Sequence, residues 1–134
     1  MNILIDTHLA LWFLDGSEHM PVRARELVED PTNNVFVSDI SAWEVAIKHA
    51  KRPDAMPRSC AEFIVLCDRV SFTPLRISLS AIVAYEGLDT SRAEKVHRDP
   101  FDRMLIAQAK AEGMLLLTHD RSMALYGEPL VSVV

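Results

Sequence analysis

Glycine is scarce. The chain has four, and none builds a Gly-x-Gly-x-x-Gly turn after the first apolar run, Asn2-Ile3-Leu4-Ile5. A dinucleotide needs that turn to approach a helix N-terminus, so a cofactor enzyme of that kind is excluded. Cysteine is scarce too: Cys60 and Cys67 are the only two, on what should be one helix. A seven-residue spacing there separates Cα atoms by about 10 Å, beyond disulfide reach. Excess positive charge is missing, with 14 Lys and Arg against 19 Asp and Glu and a net charge of −5, so there is no global basic footprint for nucleic acid. No apolar run approaches a membrane span, which argues against membrane association. The first apolar run meets Asp6 and follows no Lys or Arg, so a secretory signal is not expected. Two free thiols and no targeting segment point to the cytoplasm. Repeats, low-complexity tracts and Gly/Ser linkers are absent.

What is present suits one compact domain over residues 1–134, because 49% hydrophobic residues in a chain of this length can build a real core. Short apolar strands alternate with helical patterns, which predicts a parallel sheet covered by helices on both faces. Strands are expected at 2–5, 35–37, 71–73, 114–117 and 130–133, and helices at roughly 7–14, 21–30, 40–51, 59–69, 78–86 and 101–112. The first and fourth strands are continuous apolar runs, as central strands should be. Segments 51–58 and 87–98 read as loops that could border a site.

Four acids then stand out. Asp6 and Asp120 directly follow strands, Glu44 lies in the first turns of the helix after the second strand, and Asp102 lies in the first turn of the helix feeding the fourth. In a parallel sheet all four positions project to the edge where strands end and ligands bind. Carboxylates beside buried strands lose solvation and repel one another, so such a cluster usually holds a cation.

Each acid also has a plainer explanation. Asp6 and Asp120 could cap the helices that follow them. Glu44 could complete a capping box with Ser41 or pair with Lys48. On a helical wheel, however, it lies about 40° from Ile40, at the border of the arc of Trp43, Ile47 and Ala50. Asp99 before Pro100 reads as an N-cap with proline at the first helical position. Asp102 instead aligns with Leu105, Ile106 and Ala109, the face expected on the sheet; a structural Asp gains from the helix dipole there but would not need to lead the buried stripe. Trp12, Phe13, Trp43 and Phe101 read as core or interface, with Trp43 continuing the packing stripe of its helix. His8, His97 and His119 lie near these acids, yet no His pair has zinc spacing, which argues against a transition-metal site.

The runs Ile5-Asp6-Thr7-His8, Ser41-Ala42-Trp43-Glu44, Asp99-Pro100-Phe101-Asp102-Arg103-Met104-Leu105-Ile106-Ala107 and Thr118-His119-Asp120 occur in this order. Together they resemble the PIN domain, and within it the toxin ribonucleases of VapBC toxin–antitoxin pairs. The resemblance spans nearly the whole chain. It implies a PIN-like α/β/α sandwich with a small, mostly parallel sheet, and an endoribonuclease dependent on Mg²⁺ or Mn²⁺. It matches Asp6, Glu44 and Asp120 to the family's acids, and Asp102 to the third. It implies that Asp99 supports the site from behind or contacts the metal's waters, and it matches Thr118 to a hydroxyl position near the site. On this reading Asp6, Asp102 and Asp120 bind the ion, and Glu44 helps hold it or orients the attacking water. Lys48, Arg98 and Arg103, together with Lys51 and Arg52, are candidates for RNA phosphates. The resemblance further implies a homodimer and a small VapB-type antitoxin whose cationic tail crosses the acidic groove, with helices 21–30 and 59–69 as candidate surfaces. DNA would be contacted only through that antitoxin.

Two other classes compete with this reading. A phospho-accepting receiver module would need an Asp after the third strand, but Ser71-Phe72-Thr73-Pro74-Leu75-Arg76 has none. A non-catalytic, metal-binding PIN-like scaffold that holds RNA or a protein partner is compatible with the same acids.

Overall fold

The computed structural model describes residues 1–93 and 98–134, so His97 lies outside the described residues. The chain runs β1 (Asn2–Ile5), α1 (Thr7–Leu14), α2 (Val22–Glu29), β2 (Asn34–Ser38), α3 (Asp39–Lys51), α4 (Cys60–Arg69) and β3 (Thr73–Leu75). It continues through α5 (Leu79–Glu86), α6 (Pro100–Glu112), β4 (Leu115–Thr118), a 3₁₀ helix (Arg121–Tyr126) and β5 (Val131–Val133). The five strands form one sheet in the order β3-β2-β1-β4-β5, and every pairing is parallel. The expectation of a mostly parallel sheet thus becomes a wholly parallel one.

Side-chain alternation along the strands builds two cores. Ile3 and Ile5 of β1, Val35 and Val37 of β2 and Leu117 of β4 face one way, onto Leu9, Ala24 and Phe63 of α1, α2 and α4. Leu4 and Leu116 face the other way, onto Leu105, Ile106 and Ala109 of α6. These side chains are almost fully inaccessible, the Val, Leu, Ile and Phe among them each stabilising the fold by about 1.5–3 kcal/mol. The result is an α/β/α sandwich with β1 at its centre.

The third strand begins two residues later than its sequence suggests. Ser71 adopts a positive φ of 63°, its N–H bonds Asp68 O, and Phe72 N–H bonds Cys67 O. Those two residues close α4, and Phe72 enters the core instead of a ladder. Pro74 sits in β3, where an edge strand tolerates the missing donor. Helix α6 stops at Gly113, whose φ of 65° favours glycine. Cys60 and Cys67 both lie on α4 as free thiols. The described part of segment 87–98 contains no helix or strand. No helix among the described residues is long and apolar enough to cross a membrane.

Candidate active site

β1 and β4 run side by side, with Ile5 level with Leu117, so the next residues emerge together at the carboxyl edge. Asp6 N–H bonds Leu117 O at 3.0 Å. The Asp6 side chain is only 4% exposed. Its Oδ1 accepts Leu9 N–H at 2.8 Å, capping α1, while Oδ2 accepts the hydroxyl proton of Thr118. Burial pushes the Asp6 carboxyl above its ordinary range. The Thr118 and Leu9 bonds, the charge of His8 and the His119 backbone oppose that shift without cancelling it. Asp6 is therefore both a helix cap and a desolvated acid, and the two readings of it do not compete.

Glu44 is 3% exposed. Thr7 Oγ1 lies 2.9 Å from Glu44 Oε1 and 2.9 Å from Ser41 Oγ, and Lys48 Nζ lies 2.6 Å from Glu44 Oε2. The buried positions of α3 are Ile40, Ser41, Glu44 and Val45. Glu44 thus belongs to the inward face, not to its border, because the Thr7 hydroxyl and the Lys48 ammonium satisfy it there. Trp43 reverses its expectation: it is 58% exposed and packs edge-on against Phe101, with ring centroids 5.2 Å apart. Inferring the face of α3 from apolar residues alone misplaced it, since two polar side chains occupy that face. The capping box with Ser41 does not form, because α3 starts earlier and Ser38 caps it through Ile40 N–H at 2.9 Å.

Asp99 caps α6, accepting Phe101 N–H at 2.8 Å. Asp102 follows on the first turn, half-buried, while Leu105, Ile106 and Ala109 below it are buried as expected. Its negative charge is felt at Tyr126, whose hydroxyl is pushed up first by burial. Asp120 is exposed and caps the 3₁₀ helix, accepting Ser122 N–H at 2.9 Å and Ser122 Oγ–H at 2.6 Å. Thr118 joins this residue to Asp6, since Asp120 N–H donates to Thr118 Oγ1 at 3.0 Å.

Backbone topology therefore brings all four acids to the carboxyl edge. Among the described residues, however, no three Asp, Glu, His or Cys side chains stand close enough together to hold a metal ion. Asp6 turns to Thr118, Glu44 to Thr7 and Lys48, and Asp120 to Ser122, so these three carboxylates find hydroxyl or ammonium partners. Of the candidate phosphate contacts, Lys48 is engaged by Glu44 and Arg103 Nε donates to Tyr126 Oη at 2.6 Å. Arg98 lies on the surface just before α6. Lys51 and Arg52 are exposed where α3 ends. His8 and His119 gather around Trp12, at centroid distances of 6.3 and 5.6 Å. Sequence reasoning assigned no role to Thr7 and only a capping one to Ser41, whereas Thr7 reaches Glu44 and Ser41 holds Thr7; the signal was a Thr immediately after Asp6 and a Ser one helical turn before Glu44.

Fold and edge together define a class: a three-layer α/β domain with a wholly parallel sheet and hydroxyl-supported acids beyond its carboxyl ends. Residues 3–129 match the PIN domain family, and the chain belongs to it. No curated protein sequence matches significantly. Among solved structures, the chain is similar to VapBC2 from Rickettsia felis bound to a DNA fragment from their promoter. That match has a TM-score of 0.71 at 15% identity, covering 100% of this chain and 98% of the other. DNA-bound VapBC from Salmonella typhimurium gives 0.66 at 18% identity, covering 100% and 97%. VapBC-1 from nontypeable Haemophilus influenzae gives 0.66 at 14% identity, covering 94% and 92%.

Proposed function

We propose that this PIN domain is a divalent-cation-dependent endoribonuclease and the toxin of a VapBC-type toxin–antitoxin pair. One observation carries the catalytic part: Asp6 is a desolvated carboxylate fixed at the carboxyl edge of a parallel sheet, with buried Glu44 on the neighbouring helix. Similarity to three VapBC structures supports the toxin part.

Hard oxygen donors suit Mg²⁺ or Mn²⁺, and Asp6, Asp102 and Asp120 are the residues that would hold it. When bound, the cation offsets charge developing on the phosphate and makes a water nucleophilic near neutral pH. Asp6 is the preset ligand, held by Leu9 N–H and Thr118. Asp120 is exposed, so its side chain can turn inward at the expense of its Ser122 bonds. Glu44, oriented by Thr7 and Lys48, orients the attacking water or helps hold the ion. Asp99 serves mainly to start α6 and so place Asp102.

The net charge of −5 suits an antitoxin with a cationic tail, which would cover the acids and carry the pair to DNA. On α4, Ile64 and Val65 are exposed apolar surface for that partner. The toxin acts in the cytoplasm as a homodimer; a strict monomer in gel filtration at high concentration would count against the dimer.

The decisive experiment is cleavage of total cellular RNA by the purified chain with Mg²⁺, Mn²⁺ or EDTA, beside Asp6→Asn. Discrete fragments that require metal and vanish in the variant are expected. The dispersed carboxylates favour one alternative, a PIN-like scaffold that binds RNA or a protein without cutting it. Folded protein that never cleaves would establish that alternative.

A further inference from the structure

Among the phosphate candidates Arg103 stands apart, because its guanidinium is committed to tyrosines. We propose that Arg103 is a positioning residue: by binding Tyr126 it fastens the 3₁₀ helix to the first turn of α6, and so sets Asp120 against Asp102 for one divalent cation. This rests on the nuclease reading for the cation itself, while separate residues carry the positioning.

The two carboxylates sit on different elements, Asp102 in the first turn of α6 and Asp120 as the cap of the 3₁₀ helix. Strand β4 lies between those elements in the chain, so no single helical ladder fixes the separation of the two acids. A 3₁₀ helix of six residues is long for its kind and its hydrogen bonds are poor, so side chains must hold it. Its near end is fixed where Asp120 N–H meets Thr118 Oγ1 at 3.0 Å. Its far end is Tyr126, 2% exposed, whose hydroxyl accepts Arg103 Nε–H at 2.6 Å. Arg103 directly follows Asp102, so this bond closes a circuit from one carboxylate to the other. A short helix fixed at both ends cannot swing Asp120 away from Asp102.

The contact uses what arginine offers and lysine does not. The guanidinium carbon lies 5.7 Å from the centroid of the Tyr126 ring, and the group also bonds the Tyr85 hydroxyl on α5. A rigid planar fork serves both tyrosines at once, whereas an ammonium on a flexible stem is a single point charge. A buried phenol needs a partner, which gives Arg103 a reason to stay in place. Spending Nε on Tyr126 also takes that side of the fork away from bidentate phosphate binding. Charge alone predicts the opposite effect. A cation beside metal ligands opposes a metal ion, so on electrostatic grounds Arg103 would weaken the site.

The test is Mn²⁺ binding without RNA, read from the electron paramagnetic resonance signal of the free ion. Arg103→Lys keeps the charge and Tyr126→Phe keeps the ring. Both should weaken Mn²⁺ binding about tenfold, the lower end of the loss expected when a group supporting a ligand is removed. Arg103→Ala should weaken it too, against the sign of a purely electrostatic effect. Ile106→Val, a buried packing change on the same helix, should lower the melting temperature and keep wild-type Mn²⁺ affinity. With RNA present, saturating Mn²⁺ should restore cleavage by Tyr126→Phe at an unchanged KM. Wild-type Mn²⁺ affinity in Arg103→Lys and Tyr126→Phe overturns the proposal. So does a raised KM for RNA in Arg103→Ala with metal binding intact, which would return Arg103 to the phosphates. Both of those outcomes leave the cation standing. A wild type that binds no Mn²⁺, or binds it regardless of Asp102→Asn, removes the cation from these acids and the positioning role with it.

Discussion

Thr118 donates its hydroxyl proton to Asp6 Oδ2, tying the last residue of β4 to the residue that closes β1. The same oxygen accepts Asp120 N–H and lies 3.1 Å from Met123 Sδ. A hydroxyl has one proton, and a carboxylate is a far better acceptor than a thioether, so Asp6 receives it. One side chain thus sets the orientation of a buried acid, Asp6, and the backbone position of an exposed one, Asp120.

Asp6→Asn should abolish metal-dependent cleavage, by 100-fold or more, and yet stabilise the metal-free fold. Burial raises the folded-state pKa of Asp6 above its ordinary 3.8. Between 3.8 and that raised value the folded chain holds more protons than the unfolded one. Its stability therefore falls as pH rises through that window, and the full penalty is present above it. Asparagine carries no such penalty; its amide oxygen can still accept Leu9 N–H, and its amide N–H can donate to Thr118 Oγ1 in place of the bond that Asp6 accepted. Thermal melts in EDTA should favour the variant at neutral pH, with the gap closing as pH falls below 3.8. Identical melts at neutral pH would refute the desolvation argument.

Thr118→Val removes the hydroxyl bond that holds the Asp6 pKa down. The acid limb of the cleavage pH profile should move to higher pH, and the fold should lose about 1–3 kcal/mol at neutral pH, as expected when a buried acceptor loses its donor. Thr118→Ser should restore both. A variant that loses stability without moving the pH limb would reduce Thr118 to a packing residue.

Strand and helix positions were legible because β1 and β4 are uninterrupted apolar runs and because Asp6, Ser59, Ser78 and Asp99 are ordinary caps. The misplacements have physical causes. β3 is short, sits at the edge and contains Pro74, while Phe72 before it is core; apolar character alone could not separate closing α4 from opening β3. The orientation of α3 was hidden because its buried face carries Ser41 and Glu44 and its exposed face carries Trp43. The acidic edge itself was legible from topology, since every acid follows a strand or opens a helix on a parallel sheet. How those acids are satisfied was not, because Thr7, Thr118 and Lys48 reach them through side-chain geometry that spacing does not encode.

Gln108 should prove essential to the fold although it is remote from the chemistry. It is fully buried on α6, accepts Ser38 Oγ–H at 2.5 Å and donates to Arg76 O at 3.3 Å. Gln108→Leu would leave a buried hydroxyl and a carbonyl short of partners, costing about 1–3 kcal/mol. Ser38→Ala alone should cost ~1 kcal/mol through the lost cap of α3. Together the two changes should cost less than their sum, because Ser38→Ala removes the group that Gln108→Leu strands. Denaturant unfolding of the four proteins measures that coupling, and strict additivity would show that the pair does not interact.

The thiols should differ in reactivity. Burial pushes Cys67 up to about 12, whereas Cys60 opens α4 half-exposed. Since the thiolate is the nucleophile, iodoacetamide near pH 8 should label Cys60 and spare Cys67 until the chain unfolds. Mass spectrometry of the labelled peptides decides it, and equal labelling of folded protein would mean that α4 opens readily.

Metal and Asp6→Asn should stabilise the fold by different routes that do not add. In the wild type, Mg²⁺ or Mn²⁺ would relieve a desolvated Asp6 while drawing Asp102 and Asp120 from their present partners, so the gain in melting temperature is a net of the two. A cation bound only to the folded state contributes about 2.7 kcal/mol at a hundredfold excess over its Kd, a rise of several degrees. Asp6→Asn already lacks the penalty and offers a weaker ligand, so its melting temperature should barely respond to metal. Asp102→Asn and Asp120→Asn keep Asp6 intact and should respond less than the wild type, in proportion to their share of the ion. Scanning fluorimetry with Mg²⁺, Mn²⁺ and EDTA across the four proteins tests this without reference to cleavage. A full response in Asp6→Asn would place the ion away from Asp6 and remove the observation on which the nuclease reading rests.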